Sequence, residues 1–253
     1  MSSPVRGRRL TDRAPSVGVA WATPTDAPAA RLLAADLGMP CGGPGKVSGV
    51  DISLVLENGV LSLVDHRQHG LKPLSIGFDL PGTASKKQPL GRAIGRRTRT
   101  VVDATAGWGE DARRFCAMGY AVTVVERSPV MAALLRNAAD RAVGSPRAGF
   151  PPGVVGRDAI DYLAENPGAW DCVYLDPMFP PKRRSSTLPR RPLRLLRELV
   201  GDDPDTGRLY DSAMRAALKR VVVKRPDHGA PVFGPPSETV KGKLVCYDVY
   251  LKM

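Results

Sequence analysis

The sequence predicts an α/β protein in which a mostly parallel, doubly wound sheet follows a small α+β region. Three observations predict it. Between about residues 100 and 225, continuous apolar runs alternate with helical patterns, as strands buried on both faces require. Before residue 86 the texture is mixed and centres on a hairpin signal at Asn58-Gly59. After residue 238 a second hairpin pattern predicts an antiparallel strand at the edge of the large sheet.

The elements follow in order. Residues 1–16 carry Arg6, Arg8, Arg9 and Arg13 without an apolar run and read as a basic, disordered tail. SVGVAWA (16–22) reads as a strand, and Asp26 is expected to cap a helix over 28–37 that Gly38 and Pro40 stop. CGGPGK (41–46) is a loop, VDISLVLENGVLSLVDH (50–66) a hairpin, and LSIGFDL (74–80) a further strand. Residues 17–85 are thus expected to form a small α+β domain, and 86–253 a second domain. KKQPLGRAIGRRTR (86–99) is basic and partly helical. Strands are expected at 100–104, 121–126, 153–156, 171–176 and 219–224. Helices are expected at 109–118, 129–142, 158–164, 190–199 and 211–217, the second capped by Ser128 with Pro129 in its first turn. Residues 238–252 form a hairpin turned at Lys241-Gly242.

Composition narrows the function. Hydrophobic residues make up 43% of the 253 and charged residues 25%, which excludes global disorder. No apolar run is long enough to span a bilayer, so no membrane association is expected. Cys41, Cys116, Cys172 and Cys246 are too far apart for zinc-ligand spacing. Cys116 and Cys172 lie in apolar runs and read as reduced core residues, in keeping with a cytoplasmic location. His66 and His69 lack a third ligand nearby and read as turn residues, so no metal is expected. The formal charge of +12 favours a polyanionic partner.

The first βα turn of the large sheet runs from Asp103 to Asp111 and contains Gly107 and Gly109. Glycines there let a ligand approach the backbone, and the following helix start offers free N–H groups. Glu126 ends the next strand, where a carboxylate can accept both ribose hydroxyls of an adenosine. Two cofactors share this layout. Gly107-x-Gly109-x-x-Ala112 matches the dinucleotide fingerprint of an NAD-dependent oxidoreductase. Asp103, Glu110 and Asp111 would repel a pyrophosphate, however, and suit the ammonium and sulfonium of S-adenosylmethionine. Asp158, after the third strand, can accept from an adenine amino group, cap the next helix, or do both.

The fourth strand ends in Asp176-Pro177-Met178-Phe179-Pro180, where open parallel sheets bind ligands. The nitrogen of an aromatic amine is a poor nucleophile because its lone pair is delocalised. The Asp176 carboxylate and a backbone carbonyl at Pro177 could hold its two N–H bonds, orient the lone pair and stabilise the developing positive charge. Phe179 could stack on the base.

DATAGWGEDA, VVERSPVMAALL, VYLDPMFPPK, ELVGDD and KRVVVKRPD, in this order over residues 86–252, resemble the 16S ribosomal RNA guanine-N2 methyltransferase family, small-subunit methyltransferase J. The resemblance implies a class I, Rossmann-like methyltransferase domain that moves a methyl from S-adenosylmethionine to a guanosine N2 near the 3′ end of 16S rRNA. It implies cofactor contacts at Glu110, Asp111, Glu126, Arg127, Asp158, Ala159 and Asp176. Glu110 stands where the family often has Arg, Asp158 where it often has a small hydroxyl residue, and Pro181 where His is common.

Charge concentrates after this loop: residues 182–225 hold 13 Lys+Arg against 5 Asp+Glu. Lys182, Arg183, Arg184, Arg190 and Arg191, followed by Arg194 and Arg197, would border the pocket and meet phosphates. Lys224 and Arg225, after the fifth strand, are expected to bind a phosphate beside the target base. The expected partner is 16S rRNA or the small ribosomal subunit. Amino methylation of adenine or of glutamine, an oxidoreductase, and a non-catalytic RNA-binding module are the rival readings.

Overall fold

The computed structural model describes residues 14–68, 70–77, 84–143, 153–178, 191–201 and 205–252. Two sheets form. The first contains β1 (Val17–Trp21), β2 (Cys41–Gly42), β3 (Ile52–Glu57), β4 (Val60–Asp65) and β5 (Leu74–Ser75), in the order β2-β1-β3-β4-β5. A short 3-10 turn (Pro24–Asp26) leads into α1 (Ala27–Leu37), which ends at Gly38 in a left-handed conformation (φ 62°). The β3–β4 hairpin turns at Asn58 and Gly59, both at positive φ (50° and 77°), the signature of the tight turn that matches strand twist.

Asp26 departs from expectation. It stands at the N-cap position of α1 but makes no capping bond. Its carboxylate instead accepts from Thr23 Oγ1 (2.6 Å) and from the Asn58 and Gly59 amides (3.0 and 3.3 Å). Two turn amides thereby gain an ionised acceptor that α1 forgoes. The tail boundary also shifts. Ser16 is anchored, its amide and hydroxyl both donating to Asp51 (2.8 and 2.9 Å). Residues 1–13 and 78–80 lie outside the described residues, so the strand expected at 74–80 is described only as β5.

After α2 (Pro89–Ile94) the second sheet is laid down by β6 (Thr100–Asp103), α3 (Glu110–Ala117), β7 (Ala121–Val125), α4 (Pro129–Ala142), β8 (Gly153–Val155), α5 (Ala159–Ala164), β9 (Trp170–Leu175), α6 (Arg191–Val200), α7 (Thr206–Ala216), β10 (Ala217–Pro226), β11 (Glu238–Lys241) and β12 (Val245–Leu251). Its order is β11-β12-β10-β9-β6-β7-β8, with β6 to β10 mutually parallel. The terminal hairpin differs from the expected edge in one respect. Antiparallel β12 lies between β10 and β11, and β11 is the edge. Ser128 caps α4 through the Met131 amide, as its position predicts. α7 begins five residues before its expected start, because Leu209 also packs into the core.

Every residue of β9 is buried, which fits the central place of this strand. Its side chains alternate between two cores. Cys172 and Tyr174 face a core shared with α2, α3, α4 and the first sheet, while Val173 and Leu175 face α5 and α7. The first core includes Ile52, Leu54 and Leu63 beside Leu134, Leu135 and Phe115, so the apolar interior is continuous across residue 86. Burial pushes the Cys116 and Cys172 thiols up to about 11 and about 12, so both remain protonated thiols at neutral pH.

α4 also grips the hairpin of the first sheet. Asn137 accepts from the Leu61 amide (3.0 Å) and donates to the Gly59 carbonyl (2.8 Å). Removing its amide leaves both backbone groups without this partner. Asn137→Ala is therefore expected to lower unfolding stability by about 1–3 kcal/mol in urea titrations. A loss below about 0.5 kcal/mol would show that the hairpin does not depend on α4.

Candidate active site

The chain order reverses between β6 and β9, and a cleft of about 1090 Å³ opens at the carboxyl ends of the parallel strands there. The turn after β6 forms its floor. Gly107 (φ 51°) and Gly109 (φ 70°) adopt backbone conformations that side chains resist. A Cβ at Gly107 would also approach Leu196 to 3.1 Å. Glu126 organises this turn. One carboxylate oxygen accepts from the Gly107 amide (2.9 Å) and the other from the Ser128 amide (2.8 Å).

Asp103, Glu110, Asp111, Glu126, Asp158 and Asp176 all line the cleft. Such a donor set suits a ligand that carries positive charge and disfavours a pyrophosphate. Burial, reinforced by nearby Asp111, pushes the Asp103 carboxyl up to about 8. Asp158 caps α5 by accepting from the Ile160 amide (2.8 Å), and its exposed side chain and Ala159 both border the cleft. Arg127 lies at the rim and donates to the Val200 carbonyl (3.2 Å).

The acidic residues do not all face a ligand alike. Asp111 is buried and already engaged. It accepts from Tyr174 Oη (2.6 Å), Lys224 Nζ (2.7 Å) and Arg114 Nη1 (3.0 Å). Burial alone would raise its pKa, but the Lys224 charge and these hydrogen bonds hold it below the usual range. Asp176 is half-exposed at the mouth of the site. Its amide donates to Thr105 Oγ1 (2.6 Å), and its carboxylate binds Lys224 Nζ (2.8 Å). Burial works against the charge on Lys224, yet Asp176 and Asp111 together raise its pKa above the ordinary lysine value. Pro177 is buried and Met178 half-buried beside Asp176, both lining the cleft.

The sequence assigns Lys224 and Arg225 to a phosphate. Lys224 instead lies inside the cleft, its charge shared by two carboxylates. Arg225 is buried, paired to Asp248 through Nε (2.6 Å) and Nη2 (3.0 Å), and donates to the Pro226 and Gly229 carbonyls. A guanidinium neutralised in this way is spent on holding β10 to β12. Phe179, Lys182, Arg183, Arg184 and Arg190 lie outside the described residues. Arg191 donates to the Lys72 carbonyl, and Arg197 lines the cleft. His66 accepts from or donates to Ser53 Oγ (2.8 Å), and His69 lies outside the described residues.

Three contributors escaped the sequence reading. Tyr174 anchors Asp111, Thr105 fixes the backbone of Asp176, and the apolar face of α6 (Leu193, Leu196 and Val200), not only its arginines, covers the cleft. The first had a signal: Tyr174 precedes Asp176 by two residues on a strand, so both point to one side. α6 is held by Trp108 Nε1 on the Pro192 carbonyl (3.0 Å) and by Arg67 on Glu198 (2.6 Å).

Known proteins align with this chain over most of its length. The family model "Putative SAM-dependent methyltransferase" matches residues 49–252. A protein from Thioalkalivibrio sulfidiphilus named ribosomal RNA small subunit methyltransferase J is 35% identical, covering 88% of this chain and 92% of its own. One of the same name from Halorhodospira halophila is 39% identical, covering 88% and 89%. The crystal structure of a SAM-dependent methyltransferase from Neisseria gonorrhoeae superposes with a TM-score of 0.67 at 27% identity, covering 92% of this chain and 96% of that one.

The carboxylate–ammonium cluster sets a pH dependence. Lys224→Met removes the ammonium that Asp111 and Asp176 share, leaving Arg114 as the cation beside Asp111, and is expected to cost up to about 3 kcal/mol of stability at pH 7. Asp111 titrates below its unfolded value. Its stabilisation is therefore present above about pH 4 and is lost as the pH falls through the depressed value. Thermal unfolding of the two proteins should differ most near neutrality and converge in acid. A pH-independent difference would contradict the role of the ion pair.

Proposed function

We propose that this chain, which belongs to the small-subunit ribosomal RNA methyltransferase J family of SAM-dependent methyltransferases, methylates the N2 amino group of a guanosine near the 3′ end of 16S rRNA. The protein is an α/β methyltransferase that uses S-adenosylmethionine. The observation that carries the finer reading is the placement of Asp176, held from the backbone by Thr105 and from the side chain by Lys224, at the mouth of the acidic cleft.

The cleft residues divide the work. Glu126 would accept the ribose hydroxyls while keeping the Gly107 turn in place. Asp158 would meet the adenine edge, and Asp103 and Glu110 the cationic methionine end. When bound, S-adenosylmethionine supplies a methyl group on a positively charged sulfur that leaves as a neutral thioether. Asp176 and the Pro177 carbonyl would accept the two N–H bonds of the guanine amine and turn its lone pair toward that methyl. Lys224, locked between two carboxylates, keeps Asp176 in one orientation. As the amine gains positive charge, the carboxylate beside it stabilises that charge and offers a route for the departing proton.

Unmodified small ribosomal subunits, incubated with the protein and labelled S-adenosylmethionine, should acquire label in N2-methylguanosine at one mapped nucleotide. Label in methyladenine, or in protein glutamine, would overturn the base assignment. Asp176→Ala should reduce transfer by at least about a hundredfold while cofactor binding stays measurable. Full activity in that variant would remove Asp176 from the chemistry. Glu126→Ala should weaken cofactor binding about tenfold or more by calorimetry, since both the ribose acceptor and the support of Gly107 are lost. Unchanged affinity would exclude the ribose role.

A further inference from the structure

We infer that a second RNA-binding surface lies at the opposite end of the large sheet, around Arg96, Arg97 and Arg99. The inference rests on the reading that the substrate is RNA. The segment 86–99 contains six Lys or Arg residues and no acidic residue. It folds as α2 and the approach to β6, which places Arg96, Arg97 and Arg99 just before the amino end of that strand. Lys219, near the start of β10, joins them, and with Lys86 they line one open depression.

The charges there are available. Arg96, Arg97 and Arg99 are exposed and have no carboxylate partner among the described residues. Asp171 is the acidic residue lining the depression, and it is taken by Lys219 (2.8 Å) and by the Arg99 and Thr100 amides. Lys86 places its ammonium over the Tyr120 ring at 4.2 Å, which holds it at the margin. A rigid base supports the surface: the Thr98 hydroxyl donates to the Ile94 carbonyl (2.6 Å), and Lys219 donates to the Arg97 carbonyl (3.1 Å).

Position decides what such a surface can touch. β6 spans four residues, so Arg99 and the Asp103 end of the cleft are separated by roughly 13–17 Å along the sheet. A nucleotide seated in the cleft cannot reach it. A folded RNA, with phosphates on strands flanking the target, can. Contacts of this kind set register and affinity without reading sequence. They also explain why a segment remote from the methyl-transfer chemistry is free of acidic residues.

The test compares the full-length protein with Arg96→Ala/Arg97→Ala/Arg99→Ala and with the corresponding triple Lys variant, using unmodified small ribosomal subunits. Loss of three phosphate contacts should flatten the dependence of log affinity on log salt by about 2–3 units. KM for the subunit should rise about tenfold or more, with kcat, cofactor affinity and Tm unchanged. The Lys variant should restore most of the salt dependence, because it retains the charges. Equal KM and equal salt slope in the Ala variant would overturn the surface while leaving the methyltransferase reading intact. A parent protein that neither binds nor methylates RNA would overturn both. Weaker binding to phosphatidylserine vesicles, with RNA binding unaltered, would reassign the surface to an anionic membrane and equally defeat the proposal.

Discussion

The ammonium of Lys224 sits 2.7 Å from Asp111 and 2.8 Å from Asp176, joining three elements distant in sequence. Asp111 opens α3, Asp176 follows β9, and Lys224 lies near the end of β10. Two carboxylates in a partly buried cleft coexist here because two cations, Lys224 and Arg114, balance them. Tyr174 and Arg114 supply the remaining hydrogen bonds to Asp111, so the network leaves that carboxylate well satisfied. The orientation of Asp176 follows from this arrangement, which the parallel pairing of β9 with β10 brings together. A chain with lysine and aspartate at these positions, but without the tyrosine, would leave Asp111 with one strong donor fewer.

The first sheet acquires a role through α6. Arg67 pairs with Asp65 in its own sheet and reaches Glu198 on α6. Trp108, from the glycine turn, holds the start of the same helix by the Pro192 carbonyl. The cover of the acidic cleft is therefore braced on one side by the glycine turn and on the other by the N-terminal region. The continuous core from Leu54 to Leu135 provides the stiffness that such a brace needs.

Much of this was legible in the residues because local rules carry it. Asn58-Gly59 dictates a tight turn, Ser128-Pro129 a helix start, and the apolar run ending at Asp176 a buried strand. The acidic character of the cleft was equally visible, since strand-end carboxylates must lie on one side of a parallel sheet. What escaped depends on partners far apart in sequence. Arg225 reads as a free cation until Asp248 is placed beside it by antiparallel β12. Lys224 reads as a phosphate ligand until α3 delivers Asp111. Asp26 reads as a helix cap, and only the fold reveals that the hairpin amides outcompete α1 for it. In each case a polar side chain had several admissible partners, and tertiary packing selected among them.

The insertion of β12 between β10 and β11 has a consequence for the order of assembly. β10 carries Lys224 and Arg225, and one of its edges is satisfied only by β12, the strand latest in the sequence. During synthesis from the amino end, β6 to β9 can associate while that edge of β10 is still bare. An unpaired edge of this length invites pairing with another chain. The same step that protects the nascent protein from aggregation also seats Asp248 on Arg225 and steadies the strand bearing Lys224. Closure of this edge of the sheet and the seating of Asp248 on Arg225 thus depend on the same strand pairing.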